Sequence, residues 1–169
     1  MTGVAVNTLV VFYSRYGAAE RLALAAGVGA LQARANIRLR RLADDADPDT
    51  IQQDAAWRQG LDRMHRDYVT PRPADPLWAD AIVLVTPADS PRQMHAFLEG
   101  LRSGDSMSGR IAAPLPSDLP EATLASIYAA AAAARLIVVP ASAASNDTDA
   151  ALIHGRRVSE MARRLKAGG

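Results

Sequence analysis

The stretch VVFYSRYGAAERLA, from Val10 to Ala23, contains an apolar segment, a glycine and then an alanine-rich segment. An apolar run that ends near a glycine predicts a buried strand, a tight turn and a following helix. A helix that begins after a parallel strand exposes free backbone N–H groups and the positive end of its dipole, which together attract anions. The stretch therefore predicts a strand and a helix joined by a turn that can hold a phosphate.

The same alternation of strand and helix recurs along the chain. Five apolar segments are predicted as strands: residues 6–13, 37–42, 77–87, 110–116 and 136–140. Helical patterns follow four of them directly: residues 18–31, 91–101, 121–135 and 155–169. Continuously apolar strands alternating with helices predict an α/β fold, in which helices cover both faces of a parallel sheet. With the doubly wound strand order 2-1-3-4-5, a ligand crevice is lined by the loops after strands one, three and four.

The segment between the second and third strands carries an additional helix. We predict that Asp49 caps this helix, and that its apolar side chains share one face because they are four, three and four residues apart. These residues are Trp57, Leu61, Met64 and Tyr68. We expect this face to cover the edge of the sheet or a partner subunit. The stretch Thr70 to Pro76 is predicted to be extended.

Composition and charge narrow the class of protein. The 169 residues match one ordinary domain, residues 1–169, and 49% of them are hydrophobic. The apolar runs are too short to cross a bilayer, so no membrane insertion is expected. A net charge of +1 gives no general attraction to nucleic acid, and the absence of cysteine excludes disulfides and thiolate metal sites. A cytoplasmic enzyme or binding protein is the expectation.

The remaining charged and metal-binding residue types point to no further site. Arg38 and Arg40 alternate with apolar residues in the second strand, so we expect them on a solvent-exposed face, with binding of a nucleotide 2′-phosphate as the alternative. His65, His95 and His154 have no metal-triad spacing, and we expect them to be surface or helix residues. No metal site and no hydrolase triad are expected.

Four segments resemble the flavodoxin-like family, and most closely the Trp-repressor-binding-protein type of NAD(P)H:quinone oxidoreductase. They are TLVVFYSRYGAAERLA, ADAIVLVTPADSPRQMHAFLEGL, TLASIYAAAAAARLIVVP and HGRRVSEMARRLKAG. The resemblance covers most of the chain apart from the helix around Trp57. It implies a three-layer flavodoxin-like fold with a five-stranded parallel sheet, FMN as cofactor and NAD(P)H as co-substrate.

The resemblance assigns the first loop to the FMN phosphate. The matching positions are Ser14, Arg15, Tyr16, Gly17, Ala18 and Ala19. Ser14 offers a hydroxyl, Gly17 permits close approach of the backbone, and Ala19 stands where the family commonly has a threonine or another polar or larger residue. The alternative is that Gly17 only turns the chain and Glu20 supports the start of the helix.

The resemblance assigns the second and third loops to the flavin ring and its far edge. The second loop comprises Thr86, Pro87, Ala88, Asp89 and Ser90, and it is shorter than its family counterpart. In the third loop Ser117 and Asp118 are the candidates, and the alternative is that Ser117 to Glu121 form a plain helix entry. Prolines in this region remove backbone N–H donors.

The sequence is compatible with two functions of different classes. The resemblance implies an FMN-dependent NAD(P)H:quinone oxidoreductase, in which the flavin carries the two electrons, so we name no catalytic side chain. It also implies a homodimer or tetramer. The alternative is a flavodoxin-fold protein that has lost FMN and serves as a binding or scaffolding module, because the second and third loops contain no aromatic residue to stack on the flavin. Tyr16 of the first loop is the aromatic candidate within these loops. A one-electron carrier fits less well with the pI of about 8.2.

Overall fold

Five parallel strands form the centre of the protein in a computed structural model, which describes residues 3–104, 107–117, 119–141 and 147–169. The strands are β1 (Asn7–Phe12), β2 (Asn36–Arg41), β3 (Ala81–Pro87), β4 (Ile111–Ser117) and β5 (Ile137–Val138). Their order in the sheet is β2-β1-β3-β4-β5, and every neighbouring pair is parallel. The predicted α/β class and strand order are confirmed.

Helices cover both faces of the sheet. They are α1 (Ala18–Gln32), α2 (Pro48–Gln53), α3 (Ala55–Asp67), α4 (Ala74–Trp78), α5 (Arg92–Arg102), α6 (Glu121–Ala133) and α7 (Thr148–Gly168). One buried cluster joins Val10 and Val83 of the sheet to α1 and α7, and the other joins Leu9 and Ile82 to α5 and α6. Because successive side chains of a strand point to opposite faces, each continuously apolar strand supplies both clusters.

The contact between α1 and α7 depends on two glycines. A Cβ atom at Gly29 would lie 1.9 Å from the carbonyl oxygen of Leu152, and one at Gly155 would lie 2.0 Å from that of Ala26. The backbones of the two helices therefore approach more closely than any side chain at these positions would allow. This contact packs the second half of α1 tightly against α7 on one face of the sheet.

Between β2 and β3 the structure corrects the predicted boundaries. The single helix expected after Asp49 is two helices, because Asp47 caps α2 and Asp54 caps α3 by accepting a hydrogen bond from Trp57 N–H at 2.9 Å. The stretch predicted as extended and the start of the third strand, from Leu77, were also wrong. Helix α4 occupies part of both, and β3 begins only at Ala81.

The second half of the chain shows two further differences. Helix α7 begins at Thr148, earlier than predicted, and β5 contains two residues instead of five. Pro114 and Pro116 lie within β4. Ala112 accepts a hydrogen bond from Val139 N–H, so the alternation along β4 turns both proline nitrogens toward the side where β5 has already ended.

Arg38 and Arg40 do not form a solvated face, which corrects the expectation from their alternation. Both donate to the carboxylate of Asp75, at 3.0 Å from Arg38 and 2.7 Å from Arg40, and Asp75 is buried. Burial alone would raise the pKa of Asp75, but hydrogen bonds led by that of Arg40 lower it below its ordinary value. The guanidinium of Arg38 also lies 4.1 Å from the centre of the Trp78 ring. These arginines hold α4 against β2.

Within the described ranges, no helix has the length and apolar character needed to span a bilayer. Among the same residues, no cluster of histidine and carboxylate side chains could hold a metal ion.

Candidate functional site

The first loop lies where β1 ends and α1 begins, at the carboxyl edge of the sheet. Gly17 has a φ of 98°, in the left-handed region that favours glycine, and its N–H donates to the Ser14 hydroxyl at 2.9 Å. The first bond of α1 runs from Arg21 N–H to the Gly17 carbonyl at 3.0 Å. The N–H groups of Ala18, Ala19 and Glu20 lie before this first bond, so no carbonyl within α1 accepts a hydrogen bond from them. The loop thus has the backbone arrangement of an anion seat.

Helix α3 packs directly on this loop. A Cβ atom at Gly60 would lie 2.9 Å from the Arg15 carbonyl oxygen, so the backbones of helix and loop are in contact. The Tyr16 hydroxyl donates to Asp54 at 2.7 Å, and the Arg15 guanidinium lies 4.5 Å from the centre of the Trp57 ring. The additional helix therefore packs on the first loop, a contact that the expectation of a sheet edge or a partner subunit did not include.

The carboxylate of Asp44 connects α3, β1 and β2 beneath the loop. It accepts hydrogen bonds from the Tyr13 hydroxyl at 2.8 Å, from Trp57 Nε1 at 3.1 Å and from Arg41 Nη2 at 2.8 Å. Arg41 also donates to the Ser14 carbonyl at 3.0 Å. Burial, together with the hydrogen bond to Asp44, raises the pKa of Tyr13 to about 12. This network holds the turn in place.

A second buried carboxylate, Glu20, lies in the first turn of α1. It forms a two-pronged ion pair with Arg63 of α3, at 2.8 and 2.5 Å, and accepts a hydrogen bond from the Tyr68 hydroxyl at 2.7 Å. The hydrogen bonds from Arg63, and then that from Tyr68, lower the pKa of Glu20. Glu20 therefore carries its charge at neutral pH, and Arg63 neutralises it.

The second loop is a tight turn that reaches the first loop. The Thr86 hydroxyl donates to the Ser90 carbonyl at 3.0 Å, and Ser90 N–H donates to the Pro87 carbonyl at 3.3 Å. Asp89 forms an ion pair with Arg15 at 3.3 Å. The structure therefore brings the first and second loops together, as the strand order predicts.

The Ser90 hydroxyl is the unusual group of this loop. It is buried, and it has no hydrogen-bond partner among the residues that the structure describes. A buried hydroxyl without a partner is unfavourable, so this group is available to a hydrogen-bonding ligand that reaches the loop.

The structure gives less information on the candidate residues of the third loop. Ser117 is the last residue of β4, so it belongs to the strand, and Asp118 lies outside the described residues. Helix α6 begins with Pro120 as its N-cap residue, not with Ser117.

All three histidines lie on helices, one of the two kinds of position expected for them. His154 on α7 is buried, and burial followed by the nearby charge of Arg157 lowers its pKa to about 4, although a hydrogen bond with the Ala113 backbone acts in the opposite direction. His65 is exposed, and His95 contacts the Ser126 hydroxyl at 3.1 Å. None of the three lies in the first or second loop.

Sequence reasoning missed Arg41, Asp44 and Arg63. Arg41 is visible in the sequence as a basic residue near the carboxyl end of the second strand, which was a usable signal. Arg63 and Glu20 are 43 residues apart, and no local pattern relates them.

The sequence of the chain is similar to that of a known enzyme. No sequence-family model matches the chain. The chain is 34% identical over 110 residues to an NAD(P)H dehydrogenase (quinone) of Deinococcus radiodurans, and the match covers 63% of this chain and 54% of that protein. The chain thus spans about half the length of this curated relative.

Solved flavodoxin structures share the fold at low sequence identity. A short-chain flavodoxin associated with a bacterial microcompartment superposes with a TM-score of 0.59 at 13% identity, covering 93% of this chain and 99% of its own. A diflavin flavoprotein of Nostoc gives 0.56 at 15% identity, covering 98% and 99%. An archaeal flavodoxin gives 0.57 at 14% identity, covering 93% and 99%. The chain is therefore a flavodoxin-fold protein, and its sequence is similar to that of an NAD(P)H dehydrogenase (quinone).

Proposed function

We propose that this protein is a flavoprotein that transfers two electrons from NAD(P)H to a quinone, with FMN as its flavin. The observation that carries the proposal is the first loop, where Ser14, a left-handed Gly17 and the open amides of α1 follow β1 at the carboxyl edge of the sheet. The similarity to an NAD(P)H dehydrogenase (quinone) supports the choice of reaction.

The residues present fit an FMN molecule in two places. The Ser14 hydroxyl accepts from Gly17 N–H and keeps its own proton for donation to a phosphate oxygen, beside the amides of Ala18 and Ala19. The buried Ser90 hydroxyl would gain a partner from the ribityl chain or ring. When bound, the flavin supplies the two-electron chemistry. The protein's residues hold and orient it, and no protein nucleophile is required.

The remaining candidate residues have supporting roles in this proposal. Arg15 and Asp89 join the first loop to the second, and Tyr16 is held by Asp54 with its ring exposed. Thr86 orders the second loop through its bond to Ser90. The proposal also includes a single domain, expected from the chain length, and a cytoplasmic location, expected from the composition. A homo-oligomer is included on the basis of the family resemblance.

A second function is favoured by the charges around the first loop. Arg15 is paired with Asp89, Arg41 with Asp44 and Arg63 with Glu20, so the arginines carry little uncompensated charge for a phosphate. This pairing, together with α3 resting on the loop, favours a flavodoxin-fold binding module without FMN.

A titration with FMN decides between the two functions. We expect saturable one-to-one binding, seen as quenching of flavin fluorescence and a rise in Tm, since a ligand that binds only the folded state stabilises it. NAD(P)H oxidation by the FMN-loaded protein should then depend on added quinone. Absence of both quenching and a Tm shift at high FMN concentration would favour the binding module. Bovine serum albumin at equal concentration controls for nonspecific quenching.

A further inference from the structure

Helix α3 brings an arginine to the start of α1 from a segment that the family resemblance does not cover. The guanidinium Nη2 atom of Arg63 lies 3.8 Å from the point that a Cβ atom on Gly17 would occupy. The Arg63 side chain remains 45% exposed, although it forms the ion pair with Glu20. Its head therefore lies beside the N-cap of α1 and is still open to solvent.

We propose that Arg63 is a specificity residue for the phosphate group of the flavin, so that the protein prefers FMN to riboflavin. This inference rests on the proposed function. A guanidinium has five N–H donors in a planar fork, and Glu20 takes two of them. Asp67 approaches Arg63 at 3.6 Å, which is too long for a strong hydrogen bond. Donors therefore remain for a phosphate oxygen.

Arg63 also affects the binding of the phosphate group by neutralising the charge of Glu20. Glu20 is buried in the first turn of α1, where its carboxylate repels a phosphate at the helix N-terminus. Arg63 cancels that repulsion while it pairs with Glu20. Loss of the Arg63 charge therefore removes a hydrogen-bond donor and leaves the negative charge of Glu20 uncompensated. Both changes weaken the binding only of a ligand that carries a phosphate.

The test compares the dissociation constants of FMN and riboflavin for the wild type and for Arg63→Gln, measured by quenching of flavin fluorescence. We expect Arg63→Gln to raise the Kd of FMN by about tenfold and to leave that of riboflavin within about twofold. Arg66→Gln is the matched control, because Arg66 is exposed on the same helix and its substitution removes the same charge. It should change neither constant by more than about twofold.

A double variant guards against misfolding. Arg63→Gln alone leaves Glu20 buried without its cationic partner, whereas Glu20→Gln/Arg63→Gln removes both charges. If the single variant does not fold, the double variant should fold, and its preference for FMN over riboflavin should be smaller than that of the wild type. If Arg63→Gln weakens the binding of FMN and of riboflavin equally, the inference is overturned. It is also overturned if the wild type binds the two flavins equally, although the proposed function would then still stand. A wild type that binds neither flavin would overturn both.

Discussion

The guanidinium carbon of Arg15 lies 4.5 Å from the centre of the Trp57 ring, so a residue of the first loop stacks on α3. The same guanidinium pairs with Asp89 of the second loop at 3.3 Å. Arg15 therefore contacts α3 and both loops of the proposed flavin site. The partner carboxylate, that of Asp89, is 59% exposed. Ion pairs at exposed sites are weak, so a competing anion can replace Asp89 as the partner of Arg15.

Asp89→Asn should strengthen FMN binding. The substitution frees the Arg15 charge and removes a carboxylate from the side of an anionic ligand, so we expect the Kd of FMN to fall by about threefold at low salt, with a smaller effect at high salt. Fluorescence titration at two salt concentrations measures it. Glu99→Gln is the control, because Glu99 is also an exposed carboxylate in an ion pair, with Arg102. Weaker binding by Asp89→Asn would contradict this account of Arg15.

Asp44→Asn should destabilise the protein by about 3 kcal/mol, because three donors lose a charged acceptor and Arg41 is left buried without its anion. Urea unfolding followed by tryptophan fluorescence measures the free energy of unfolding. Asp45→Asn serves as the control, since Asp45 is 41% exposed in its ion pair with Arg92 and should cost less than about 1 kcal/mol. Equal effects of the two substitutions would argue against Asp44 as the centre of this network.

Gly155→Ala should destabilise the protein by about 3 kcal/mol or more, because the new methyl group would meet the Ala26 carbonyl at 2.0 Å and force α1 and α7 apart. Gly100→Ala is the opposite case. Gly100 lies in helix α5 with nothing within 4 Å of the added carbon, so alanine there should stabilise by about 0.5–1 kcal/mol. Thermal unfolding of both variants checks the signs, and a stable Gly155→Ala protein would refute the close helix contact.

The sheet and the first loop could be predicted because their signals are local. Val10 to Phe12 and Ile82 to Val85 are continuously apolar, as strands buried on both faces must be, and Gly17 marks the turn to α1. The helix starts after β2 were harder to predict. Residues 44–49 contain Asp44, Asp45, Asp47 and Asp49, each able to cap a helix, and only the tertiary structure selects Asp47.

The environment of the candidate site could not be predicted from the sequence. Contact between Arg63 and Glu20 depends on where α3 packs, and that position is set by Gly60 against the Arg15 carbonyl and by Trp57 against Asp44. Each of these contacts joins residues that are distant in sequence. A periodic apolar face predicts that a helix is covered, but it does not predict which surface covers it.

Protonation of His154 should control stability in acid. Its pKa is about 4 in the folded protein, against an ordinary value of 6.5, so the buried ring is neutral while the ring of the unfolded chain takes up a proton. The unfolded state therefore binds more protons between these values. Above about pH 6.5, His154 should not lower the free energy of unfolding. As the pH drops to about 4, its contribution should lower the free energy of unfolding by roughly 3 kcal/mol. Urea unfolding of the wild type and of His154→Gln at pH 7.5, 5.5 and 4.5 measures this contribution as the difference in slope. His65→Gln, at an exposed histidine, should keep the wild-type slope. If His154→Gln loses stability with acid as steeply as the wild type, another group is responsible for the pH dependence.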